Sequence, residues 1–119
     1  MSAALQALSI LLLFLGEALA IYSEIAGANK VLNENKISSK TFLWFFLLIT
    51  IAGLPLIAGY FLGIIAFKNI WIVSVVSIVS ILIVEPILAY LIFKQFPTYG
   101  ALIGLILGSV GLIITLVVK

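Results

Sequence analysis

A chain of 119 residues that is 66% hydrophobic and 8% charged, with a mean hydropathy of +1.46, cannot cover itself with a water-facing surface. Soluble domains of this size are close to half apolar and about a quarter charged, and they avoid large exposed apolar patches. The chain is therefore expected to be solvated by lipid, as a multi-pass protein of the cell membrane. Its net charge of +2 comes from six Lys and four Glu, spread too thinly for a nucleic-acid footprint. Neither Cys nor His is present, which removes disulfides, thiolate nucleophiles, the common metal sites and serine-type triads. No cofactor or metal is expected, and no enzymatic activity.

Four segments approach the roughly 20 helical residues that cross a bilayer core of about 30 Å. They are Ala3 to Ile25, Phe42 to Phe67, Trp71 to Phe93 and Tyr99 to Val118. The joining stretches are "AGANKVLNENKISSKT", "KNI" and "KQFPT". Short links make neighbouring helices antiparallel, so the expected fold is all-α: one membrane domain over residues 1–119, a compact four-helix bundle. Continuous apolar runs, without alternation, exclude a β-barrel.

The first helix starts without a basic region and lacks a clean cleavage site, so it is expected to be retained rather than removed as a signal peptide. Gln6, Ser9, Leu13, Glu17, Ala20 and Glu24 fall on one arc at 100° per residue. Glu17 sits near the middle of the span. A carboxylate there costs roughly 2.5–3.5 kcal/mol to insert, so such groups mark an ion or substrate path, or else stay protonated against a neighbouring helix. Glu24 lies near the headgroups and reaches water.

The second helix carries Ala52, Pro55, Gly59, Gly63 and Ala66 on one small-residue face, suited to tight packing, and Pro55 removes a backbone hydrogen bond. On the third helix Ser74, Ser77 and Glu85 share an arc, with Ser80 offset. Pro86 leaves the carbonyl of Leu82 without its usual donor. Serines in such helices often bond back to their own backbone. The fourth helix places Gly100, Gly104, Gly108, Gly111 and Thr115 on a narrow face, the arrangement that lets helix backbones approach closely in lipid. Its partner is either a helix of this chain or a second copy. The first and third loops hold Lys30, Lys36, Lys40 and Lys94 against Lys68 and Lys119 on the other side, a weak bias placing those loops inside.

The stretch from Asn69 to Val118, with "EPILAYLIF", a short turn and a Gly-rich last helix, resembles the closing part of the drug/metabolite transporter superfamily. Glu85 and Pro86 match a Glu-Pro step frequent there. "FKQFPTYGALIGLILGSVG", Phe93 to Gly111, resembles the link and fourth helix of the small multidrug resistance family, with Gly104 and Gly111 on its Gly positions. That resemblance implies four helices, an antiparallel homodimer, and competitive binding of protons and substrate cations at the carboxylate in helix 1, here Glu17. Two departures stand against it. The family's helix 3 Trp falls on Ser77 and a nearby Tyr on Ser74, so the aromatic cage for bulky cations is absent from its usual place. The long first loop with three Lys is closer to the four-helix subunits that flip lipid-linked sugars, members of the same superfamily.

The leading expectation is a proton-coupled transporter of a small cationic or polar molecule, with Glu17 as coupling residue, Ser74, Ser77 and Glu85 beside the path, and Gly100, Gly104, Gly108 and Gly111 at the dimer contact. Its partners are the bilayer, the substrate, and a second copy or a related four-helix subunit. The competing expectations are a non-transporting accessory subunit of a larger membrane complex, or a lipid-linked-sugar flippase subunit.

Overall fold

The computed structural model describes residues 2–118, apart from the side chains at positions 2 and 116. The chain forms four helices, α1 (Ser2–Glu34), α2 (Ser39–Phe67), α3 (Ile70–Phe93) and α4 (Tyr99–Val117). The last three start from a side-chain cap: Ser38, Asn69 and Thr98 accept from the backbone N–H of Thr41, Trp71 and Ala101. Each cap satisfies one of the donors that a first helical turn leaves free. Asn35, Lys68 and Lys94 close the preceding helices in the left-handed region, at φ 54°, 55° and 58°. Helices α2 and α3 run unbroken through Pro55 and Pro86.

Helix α1 continues nine residues past the expected end at Ile25, and α2 begins three residues early. The stretch "AGANKVLNE" contains no proline and is rich in residues that tolerate a helix, and it has something to pack on. Gly27 faces the ring of Phe45, with a Cβ at that glycine falling 3.3 Å from the ring carbons. Packing rescues helix that apolar length alone does not call for. The expected long loop thus shrinks to the tight turn 35–38.

Helix α1 is the hub. It packs antiparallel on α2 and parallel on α3, while among the described residues α4 touches only α3. The α1–α2 register is visible in three close pairs, Leu13 with Gly59, Gly16 with Leu56, and Gly27 with Phe45. Ala52, Gly59 and Gly63 are buried, as the small-residue face of α2 predicts. Near their junction α2 and α3 meet where Gly63 faces Val73. The helices stand roughly in a row, giving extents of 48 × 34 × 17 Å and a radius of gyration of 16.2 Å, where a compact chain of this length measures about 13.5 Å.

The expected compact bundle is therefore corrected: α1, α2 and α3 pack together, and α4 stands outside them. Helices α1, α2 and α3 are long and apolar enough to cross a membrane. Helix α4 is shorter, with an apolar stretch over Tyr99–Thr115. Large apolar side chains point outward on every helix, among them Leu11, Leu15, Phe61, Leu91 and Leu107. Such a coat suits lipid and not water.

Candidate functional site

The polar arc of α1 faces the packed interior. Ser9, Leu13 and Ala20 are buried, Gln6 and Glu17 are half-buried, and Glu24 is exposed at the far end. Ser9 is fully enclosed and donates to the carbonyl of Gly59 on α2 at 2.8 Å. This bond is open to Ser9 because Gly63, one turn on, has no side chain in the way: a Cβ there would lie 2.7 Å from the Ser9 hydroxyl. Among the described residues no buried side-chain nitrogen or oxygen lacks a partner.

Glu17 lies two turns further along the same arc, in the seam with α3. The Ser77 hydroxyl, buried on α3, donates to Glu17 Oε1 at 3.0 Å. Ser77 thus departs from the usual habit of transmembrane serines, while Ser80 keeps it by donating to the carbonyl of Ser77 at 2.6 Å. The two bonds form a chain: Ser80 to the backbone of Ser77, and the Ser77 side chain to Glu17. A serine hydroxyl both donates and accepts. It can donate to the ionised carboxylate and accept from the neutral acid, so the contact survives a change of protonation.

The other expected site residues are dispersed. Ser74 is half-buried, one turn before Ser77, and makes no hydrogen bond with Glu17. Glu85 lies eight residues beyond Ser77, about 12 Å along the helix axis. It is exposed and lines a different feature, a groove of about 650 Å³ between α3 and α4 that also includes Pro86, Tyr90 and Phe96. The rings of Tyr90 and Phe96 stack at a tilt there, 5.0 Å between centroids. Among the described residues, a Cβ added to Gly100, Gly104, Gly108 or Gly111 would meet no atom of another helix within 4 Å. Gly104 borders the α3–α4 groove, and no other helix fills the space over any of the four.

Two elements escaped the sequence reading. Gly16 is buried, and a Cβ there would come within 2.7 Å of Leu56. A lone glycine beside a glutamate carries no periodic signal. The second is a groove of about 600 Å³ at the α1–α2 turn, lined by Lys30, Lys36 and Lys40 with Trp44. Those lysines are visible in the sequence, but their convergence needs the extension of α1 to Glu34. Among the described residues no three His, Cys, Asp or Glu side chains gather as a metal site requires.

No family model, curated protein or solved structure matches this chain. The likeness to drug/metabolite transporters rests on the sequence stretches quoted above.

Proposed function

We propose that the chain is a small transporter subunit of the cell membrane, held in the bilayer by all four helices and working as a dimer. It exchanges protons for a small cationic or polar substrate at Glu17. The observation that carries this reading is the Ser77–Glu17 hydrogen bond. It holds a half-buried carboxylate at a defined place in the seam of two membrane-length helices, near their middle, through a hydroxyl that suits both protonation states. A purely structural carboxyl at this depth has a cheaper replacement in any apolar residue. Serines at positions 74 and 77, in place of aromatic rings, favour a small polar or cationic substrate over a bulky aromatic one.

Dimerisation is supported by the layout. Three packed helices with a fourth at one edge do not surround an aqueous path, and related transporters make one by pairing repeats around a midplane site. Among the described residues no other helix fills the glycine face of α4, and such a face suits a second copy.

The mechanism sets the sign of the pH dependence. Below the pKa of Glu17 the acid is neutral and no longer attracts a cation, so substrate binding weakens as pH falls through it. Adding substrate to detergent-solubilised protein should release protons, and Glu17→Gln, which cannot ionise, should insert and assemble normally yet release none. Equal release from both proteins would refute the mechanism. No release from either, across a panel of small cations, would favour the accessory-subunit reading.

A further inference from the structure

The chain carries six Lys and four Glu. Three of those lysines, Lys30, Lys36 and Lys40, and one of the glutamates, Glu34, line the single groove of about 600 Å³ at the α1–α2 turn. Three minus one leaves +2 in the groove, and the remaining three Lys and three Glu cancel. The entire net charge of the protein is therefore concentrated in one concave feature. The fold produces this convergence. Lys30 and Glu34 are one turn apart at the end of α1, Lys36 is in the turn, and Lys40 opens α2 one helical turn before Trp44, which forms part of the wall. The start of α2 adds backbone N–H groups and a positive helix end on the same side.

The depth of the groove selects among anions. Measured along α2 from its middle near Gly53, Trp44 lies about 13 Å out and Lys40 about 19 Å out at 1.5 Å per residue. A bilayer core has a half-thickness of about 15 Å, and the headgroup layer extends to about 20–22 Å. Trp44 thus falls at the boundary where indole rings concentrate, and the lysines fall among the headgroups.

We infer that the Lys30–Lys36–Lys40 groove binds the phosphate of an anionic membrane lipid headgroup, with Trp44 against the glycerol and upper acyl region. This rests on the chain being embedded in a membrane, and it is independent of whether Glu17 transports anything. Glu34 is the one acidic group in the lining, and it lowers the affinity for the phosphate.

The test begins with alkaline extraction of membranes, since release of the chain as a soluble protein would refute embedding itself. The full chain in mild detergent is then titrated with phosphatidylglycerol and with phosphatidylcholine, and bound lipid is read by native mass spectrometry. A lysine near an anionic surface is worth roughly fivefold in binding. The wild type should retain phosphatidylglycerol about tenfold or more over phosphatidylcholine, and Lys30→Gln/Lys36→Gln/Lys40→Gln should lose that preference. Lys68→Gln/Lys94→Gln should keep it within about twofold, and Glu34→Gln should strengthen it. Equal losses in the two lysine sets would reduce the effect to diffuse charge and overturn the site. Displacement of phosphatidylglycerol by millimolar inorganic phosphate would overturn the assignment to lipid in favour of a soluble phosphate. If the triple variant fails to fold, Glu34→Gln decides alone: no gain in retention overturns the proposal.

Discussion

Helices α2 and α4 bear the same signature, small residues repeating along one face, and meet opposite fates. On α2 the face is filled. Leu13 occupies the space over Gly59, and Ser9 and Val73 occupy the space over Gly63. On α4, among the described residues, no other helix comes within 4 Å of a Cβ at the corresponding glycines. Small residues in lipid lower the cost of close backbone approach and gain dispersion contacts, but the gain does not depend on which helix supplies the other surface. A glycine stripe thus announces a contact without naming its partner.

The contrast is most directly broken at Gly59. A Cβ there would come 2.9 Å from the Leu13 side chain and 3.2 Å from its backbone nitrogen. Backbone cannot yield cheaply, so Gly59→Leu should separate α1 from α2 and cost about 3 kcal/mol or more, a core overpacking penalty at the upper end of the usual range. Thermal unfolding in detergent should show loss of a cooperative transition. A shift of only a few degrees would mean that the two helices slide apart freely and that the seam holding Glu17 is not rigid.

Gly104→Leu/Gly108→Leu is the matching change on α4. With no described atom of another helix within 4 Å of either added Cβ, the monomer should be unaffected within about 0.5 kcal/mol, the range of ordinary surface substitutions. The proposed dimer should dissociate on crosslinking or size-exclusion analysis. An unchanged oligomer would place the contact elsewhere.

Within the packed half, Ser77→Ala should remove the Glu17 partner at a cost of about 0.6 kcal/mol, the mean for hydrogen bonds between membrane helices. On the proposed mechanism its larger signature is functional: the pH midpoint of substrate binding should move, because the hydroxyl contacts the Glu17 carboxyl. An unmoved midpoint would separate Ser77 from coupling. Glu85→Gln should have the smallest effect, less than about threefold in transport, since Glu85 is exposed at the α3–α4 groove and about 12 Å along the axis from Ser77. Complete loss of transport in a folded Glu85→Gln protein would move the coupling site to that groove.

The chain's own order of residues determined that it is helical, how many helices it has, and which face of α1 is turned inward. Continuous apolar runs and residues spaced at 100° are local properties, readable one helix at a time. The burial of Ser9, Leu13 and Ala20 beside a half-buried Glu17 follows from that arc. Tertiary structure decided everything that depends on a second helix. It extended α1 to Glu34 by setting Gly27 against Phe45, selected Ser77 over Ser74 as the partner of Glu17, and drew three lysines from separate places into one groove. It also left the α4 glycines unfilled while covering Gly59 and Gly63 of α2. Periodicity fixes a direction around a helix axis, but contact needs two axes and a register between them, and no single helix contains that information.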